Sequence, residues 1–389
     1  MDLSVSFGNV TLKNPLVVAS ADISLNFNFF RMLVDSGVGA IVTKSVSDIT
    51  QLQSASITRF RIIREADEGF TMLSRGGPML TMTKWQNHLA ECLPYAHKHN
   101  TKIIGSVCCS SLKNWVEYSK IVDQSGVDML ELNLGNPHGG AADKPAGYLL
   151  GQSLDASAEV VYEVSKVVTK PVIVKLTPQV DDLVPFARAM ISSGASALNV
   201  MHRYQGFRVD IEKAEPILGG WAGVGGPWMK PISLAWTSKI FNQNIGPIFG
   251  GNGVCSWQDV IEFLMSGATA VQFASVLMVQ GPEQIRGMLD GLEKYLKENN
   301  YQNIKEIIGI AAKKAFTYKE LNKIKEVRYI NNPAVCDKCP TNFKCLDYCY
   351  FEAIKREEEQ VRFLDTCNGC GLCNEVCKVP GAISQRIKD

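Results

Sequence analysis

Short apolar runs recur along this chain with helical stretches between them, and this alternation restricts the fold more than any other feature. The runs are Leu16–Ala19, Ala40–Thr43, Lys102–Val107, Met129–Asn133, Pro171–Lys175, Ala197–Val200, Pro247–Phe249 and Ala270–Phe273. They are apolar throughout rather than alternating, as strands buried on both faces must be. Between them, Asn114–Ser125, Ala156–Val168, Leu183–Ser193, Ser233–Phe241 and Trp257–Met265 read as helices. Ser36-Gly37, Ser125-Gly126, Gly194-Ala195 and Gly267-Ala268 end helices just before the next strand. Eight strands with intervening helices predict an α/β fold, a (β/α)8 TIM barrel. A doubly wound sheet usually has fewer repeats. Gly8-Asn9 predicts a hairpin ahead of the barrel. Pro282–Glu298 and Glu320–Lys325 read as closing helices.

The tail predicts a second domain. It reads Cys336-x-x-Cys339-x5-Cys345-x3-Cys349, then Cys367-x-x-Cys370-x-x-Cys373-x3-Cys377. The second run has the spacing of a bacterial ferredoxin half-site, and the first has it with three extra residues. The last cysteine of each such run ligates the other cluster. Cys336, Cys339, Cys345 and Cys377 are therefore expected to hold one [4Fe–4S] cluster, and Cys349, Cys367, Cys370 and Cys373 the other. Gly369 and Gly371 let the backbone wrap closely. Zinc suits a lone CxxC pair but rarely explains eight cysteines in this order. Disulfides do not suit a chain that otherwise reads as a reduced intracellular enzyme. Asn331-Asn332-Pro333 marks the approach to this domain. The expected division is 1–325, barrel, and 326–389, a ferredoxin-like domain. Lys355–Gln360 reads as a solvated turn or helix end.

The formal charge of +1 gives no electrostatic case for nucleic acid. No basic run with an apolar core opens the chain, and no apolar stretch approaches the roughly 20 residues of a membrane span. A soluble, cytoplasmic protein is expected.

In a barrel, chemistry gathers at the C-terminal ends of the strands. There this chain carries Ala19-Ser20-Ala21, Lys44-Ser45, Cys108-Cys109-Ser110, Asn133 to Gly139, Lys175 to Pro178, Met201-His202-Arg203, Gly250-Gly251-Asn252-Gly253 and Ala274-Ser275. The last two read as a phosphate cup, with the helix starting near Trp257 offering its positive end. Lys44 and Lys175 end buried strands and need anionic or polar partners. A flavin meets that need, because its N1–C2=O region becomes negative on reduction.

These segments, with Asn14-Pro15, Arg59-Phe60, Gly69-Phe70 and Gly219–Pro231, resemble the dihydroorotate dehydrogenase family. Within it the chain is most similar to the flavin- and cluster-carrying part of dihydropyrimidine dehydrogenase. The resemblance covers nearly the whole chain. It implies FMN in the barrel mouth, with Ala19, Ser20, Lys44, Ser45, Asn133 and Lys175 against the ring and ribityl chain. Gly226, Gly251, Gly253, Ala274 and Ser275 would hold the phosphate end. It implies an oxidoreductase acting on CH–CH groups.

Three positions depart from the family's pattern. Where the family has its catalytic Cys, or Ser in one class, this chain has Asn136, and a carboxamide is no general acid or base near neutral pH. A Thr-Asn-Thr segment that binds pyrimidine in the relatives is Met201-His202-Arg203 here. A ligand asparagine after Gly69-Phe70 is replaced by Arg75. The flavin half of the site is kept and the pyrimidine half is not. His202 is the first candidate for the missing proton donor, Cys108 a second, and Tyr204 a weaker one. Arg75 and Arg203 would favour an anionic substrate. The expected function is oxidation or reduction of a C–C or C=C bond of a small cyclic substrate, with electrons relayed between FMN and two [4Fe–4S] clusters. The alternatives are an electron-transfer subunit without substrate chemistry and a divergent dihydropyrimidine dehydrogenase. No GxGxxG follows a strand, so nicotinamide would act through a partner. That partner is expected to be a ferredoxin or an NAD(P)H-dependent FAD flavoprotein subunit, in a homodimer or hetero-oligomer.

Overall fold

A computed structural model describes residues 1–53, 58–64, 69–75, 79–139, 145–317, 319–320, 326–336, 339, 343–357 and 360–387. All eight apolar runs become strands of one closed parallel barrel. In chain order they are β1 Leu16–Val18, β2 Ala40–Val42, β3 Lys102–Val107, β4 Met129–Asn133, β5 Val172–Lys175, β6 Ala197–Val200, β7 Ile248–Gly251 and β8 Ala270–Phe273. Each pairs with the next, and β8 closes on β1. Outside β3, every residue of these strands is buried. One face meets the helices and the other fills the barrel, which is why the runs do not alternate. The predicted hairpin pairs Val5–Phe7 with Val10–Leu12. Phe7 stacks on Phe249 of β7 with ring centroids 4.1 Å apart. Burying such a ring contributes about 1.5–3 kcal/mol.

The expected helices form as Leu112–Gln124, Leu154–Ser165, Leu183–Ser192, Lys230–Asn242, Trp257–Met265 and Gln284–Glu298. Ser111, Ser153, Asp182 and Ser256 cap four of them by accepting a backbone N–H in the first turn. Of the closing helix read over Glu320–Lys325, residues 321–325 lie outside the described set.

A four-stranded antiparallel sheet, unanticipated from the sequence, is inserted between β2 and β3 and between β6 and β7. Its order is Tyr204–Gly206, Ala222–Gly225, Phe70–Arg75, Arg59–Arg64. Arg59–Arg64 is largely exposed, and Ala222–Gly225 consists of small residues, so neither carries a strand signature.

The chain divides into two compact units, Met1–Lys314 and Ala315–Asp389. In the second, Val327–Asn331 pairs antiparallel with Ile383–Ile387. Short helices Pro333–Cys336, Lys344–Asp347 and Leu372–Val376 carry Cys336, Cys345 and Cys373. Of the charged run Lys355–Gln360, residues 358–359 lie outside the described set. The run supplies most of Ile354–Glu357, a strand paired with Gln360–Phe363, because its outward side chains stay in water while Ile354 and Val361 pack inward. Among the described residues, no helix is long and apolar enough to cross a membrane.

Candidate functional site

The C-terminal ends of the barrel strands and the inserted sheet surround a cavity. Its floor is a polar layer inside an otherwise apolar barrel. Strand pairing sets Asn133 of β4 beside Lys175 of β5, and Lys175 beside Asn199 of β6. Lys175 Nζ donates to Gln272 Oε1 of β8 at 3.2 Å and lies 3.6 Å from Glu131 Oε1. Asn133 Nδ2 donates to Ser45 Oγ at 3.3 Å. Lys44 Nζ pairs with Asp22 at 3.0 Å. Both lysines thus have the partners that their position demands.

The rim consists of residues with little or no side chain: Ala19, Ser20, Gly226, Gly251, Gly253, Ala274 and Ser275. Gly226 and Gly253 have φ of +148° and +89°, which disfavour a Cβ. A Cβ at Gly253 would stand 2.7 Å from the backbone nitrogen of Lys230. The helix Trp257–Met265 does not offer its positive end as expected. Ser256 and Asp259 close a capping box over it, and Asp259 also takes the Cys255 N–H. The helix that lines the cavity is Ser275–Gln280, through Ser275 and Met278.

Asn136, His138, His202 and Arg203 also line the cavity. Asn136 Oδ1 accepts the His138 N–H at 3.1 Å, and its Nδ2 donates to Met79 Sδ at 4.0 Å. His202 Nδ1 accepts the Arg203 N–H at 2.7 Å. Burial and the charges of Lys175 and Arg203 hold the His202 imidazole well below its ordinary pKa. With Nδ1 accepting, a neutral ring carries its proton on Nε2, where it can donate a hydrogen bond. His138 is brought down to about 4 by burial and then by Arg203.

Arg203 lies along Ala222–Gly225. Its Cγ and Cδ would stand 3.2 Å from a Cβ at Gly225, so this strand's small residues make room for it. Its Nη1 donates to Ser74 Oγ at 2.6 Å. Among the described residues it has no carboxylate at ion-pair distance. Among the described residues, Asp22 is the one acid in the lining, against Lys44, Lys175 and Arg203.

Three candidates stand outside this lining. Arg75 turns away, its Nη1 donating to the Leu218 carbonyl at 2.9 Å. Cys108 is fully buried behind Asn136, and burial pushes its thiol up to about 12, so it offers no thiolate. Tyr204 pairs with Val224 at the edge of the inserted sheet. Conversely, Asp22, Asn199 and Gln272 line the cavity without having been singled out. Asn199 and Gln272 are lone polar residues inside buried apolar strands, and that was the available signal.

These residues fit FMN. Lys175 and the amides beside it face where a flat ring with a polar edge would lie, and the small-residue rim leaves room for a phosphate. The tail cysteines gather in two sets. Cys349, Cys367, Cys370 and Cys373 line one pocket. The Cys345 thiol is pushed up to about 11 by burial and then by Cys336, Cys339 and Cys377 nearby. Backbone N–H groups of Phe343 and Ala353 donate to the sulfurs of Cys339 at 3.2 Å and Cys349 at 3.3 Å. A single zinc needs sulfurs about 3.8 Å apart around one point. Among the described residues no such convergence occurs, whereas a cubane takes one thiolate per iron.

The family model described as dihydroorotate dehydrogenase matches residues 2–296. The catalytic subunit of dihydroorotate dehydrogenase B (NAD(+)) from Petrotoga mobilis is 28% identical over 316 residues, 80% of this chain and 99% of that protein. The subunit of the same name from Pyrococcus abyssi is 31% identical over 314 residues, 80% of this chain and 99% of its own. That from Geotalea daltonii is 31% identical over 315 residues, 79% and 97%. The family match ends before the first tail cysteine.

Proposed function

The chain belongs to the dihydroorotate dehydrogenase family, whose members are oxidoreductases acting on CH–CH groups, and on that premise we propose a substrate, cofactors and partner for it. FMN binds in the barrel mouth. The eight tail cysteines hold two [4Fe–4S] clusters, Cys336, Cys339, Cys345 and Cys377 on one and Cys349, Cys367, Cys370 and Cys373 on the other. The substrate is a small cyclic anion with a C–C or C=C bond to oxidise or reduce. The observation that carries this reading is Arg203: it lines the cavity with no carboxylate at ion-pair distance among the described residues, whereas Lys44 and Lys175 have Asp22 and Glu131.

When bound, FMN supplies hydride chemistry and the clusters supply single electrons. The chain's own residues bind and orient. Lys44 and Lys175 support the ring, and the rim from Gly226 to Ser275 takes the phosphate. Arg203 pairs with the anionic group of the substrate. Asn136, at the position of the family's catalytic Cys, donates from its amide, and His202 donates from Nε2 to a substrate oxygen. Neither is a ready acid, so the usual pyrimidine mechanism is not supported, although kinship with dihydropyrimidine dehydrogenase accounts for the tail. The curated relatives are named as catalytic subunits of NAD(+) enzymes. This chain is likewise served by a nicotinamide-dependent flavoprotein subunit or a ferredoxin. An electron-transfer subunit alone would not need this organised polar lining.

The test is an anaerobic preparation, reduced and then offered unsaturated cyclic acids beside their neutral amides. Flavin bands and iron near about eight per chain are expected, with reoxidation by acids and not by amides. Equal rates with both would remove the anionic substrate. Absence of flavin bands would remove the reading itself.

A further inference from the structure

Below the cavity floor lies a carboxylate that the mechanism above does not use. Glu131 of β4 is fully buried. Its Oε2 accepts from Asn199 Nδ2 at 2.9 Å and from Gln272 Nε2 at 2.8 Å. Its Oε1 has no hydrogen-bond donor among the described residues, and it faces Lys175 Nζ at 3.6 Å. Gln272 bridges the two, since its Nε2 serves Glu131 while its Oε1 accepts from Lys175. A buried carboxylate with one oxygen unbonded is an expensive way to fill a barrel floor unless its charge serves a cation.

We infer that Glu131 is a positioning residue which keeps Lys175 protonated at the cavity floor and so tunes the reduction potential of the cofactor above it. This rests on the flavin reading. Lys175 is 8 % exposed, and burial pulls its pKa down, with Arg203 adding to the fall and Glu131 opposing it. The other groups facing it are neutral: His202, Gln272 and Asn199. Lys44 across the cavity is already paired with Asp22.

The consequence has a definite sign. With Glu131 in place, Lys175 holds its charge to higher pH than it would without that carboxylate. In Glu131→Gln, at low pH, that charge is uncompensated, favours the more negative reduced flavin, and raises the potential above that of the native protein. As pH rises, Lys175 now loses its proton, and the potential falls below the native one. The two curves therefore cross.

The experiment is a spectroelectrochemical titration of the holoprotein, read at the flavin bands from about pH 6 to pH 10, where an unperturbed lysine titrates near the top. The native protein, Glu131→Gln and the double variant Glu131→Gln/Lys175→Met are compared. Crossing in the single variant and its loss in the double variant are expected. Parallel curves, displaced or not, would overturn the role of Glu131, since a merely structural change shifts the potential without a new titration. Should Glu131→Gln fail to accumulate, Glu131→Asp withdraws the carboxylate by one methylene. It should show the same crossing at smaller amplitude, and parallel curves there overturn the inference equally. A native protein without flavin bands would overturn the cofactor reading and this inference together, which separates the two failures.

Discussion

At the scale of the residue, the cavity is a place where ordinary acids and bases have been disarmed. His202 illustrates this. Its position after β6 made it the natural proton donor, yet Nδ1 is taken by the Arg203 N–H and the cations around it keep the ring neutral. A general acid is worth roughly 10²–10⁴ in rate. A neutral hydrogen bond is worth about 0.5–1.5 kcal/mol, or roughly 2- to 12-fold. His202→Ala should therefore slow substrate-dependent flavin oxidation by no more than about 10-fold. Its pH–rate profile should keep the native shape through the histidine range, because a ring held well below pH 6.5 does not titrate there. Stopped-flow reoxidation across pH 5.5 to 8 checks this. A fall of two decades, with loss of a limb near the ordinary histidine pKa, would return His202 to the role of acid.

At the scale of the element, the barrel was legible because its strands are buried on both faces, and that burial writes continuous apolar runs into the sequence. The cavity floor was half legible. Lys44 and Lys175 stand at strand ends and announce themselves, whereas Gln272 and Asn199 are hidden within strands and acquire meaning only when the barrel closes β8 and β6 around Glu131. The inserted sheet was not legible. Ala222–Gly225, with two glycines and an alanine around Val224, has little strand propensity of its own and pairs with Phe70–Arg75 while Arg203 lies across it. The capping box at Ser256 was present in the sequence, but that it closes the Trp257 helix to a phosphate follows from Asp259 also taking the Cys255 N–H. What remains for an anion is the small-residue rim. Gly253→Ala places a methyl 2.7 Å from the Lys230 nitrogen at a φ of +89°. The left-handed backbone alone costs about 1–2 kcal/mol, and the clash forces the rim open. Flavin content per chain should fall in this variant while the thermal transition of the apo barrel shifts by only a few degrees. Full flavin occupancy would show that the phosphate lies elsewhere.

At the scale of the whole molecule, the two units are built on different physical terms. The core of Met1–Lys314 runs from Leu3 to Ile307 and closes without any tail residue. The curated relatives, nearly all of whose length matches about four-fifths of this chain, show that a barrel of this kind serves without such a tail. The core of Ala315–Asp389 is small, and Cys336, Cys345 and Cys373 are among its few buried members, beside Phe343, Ile354, Val361 and Ile383. A unit of this size has too little apolar surface to offset chain entropy unless something staples it. On the cluster proposal, metal binding is folding free energy for this unit and not for the other. Anaerobic calorimetry of the holoprotein should resolve two transitions. Removing iron with a chelator under mild oxidation should abolish the tail's transition, with loss of its far-ultraviolet ellipticity, and leave the barrel's transition and flavin content in place. A chain ending at Lys314 should reproduce the barrel's transition alone and keep substrate-driven flavin reoxidation. It should no longer pass electrons to a one-electron acceptor at the native rate. Iron removal that leaves the tail folded would mean that its cysteines act as packing side chains. Iron removal that melts both units together would mean that the barrel's stability depends on the tail.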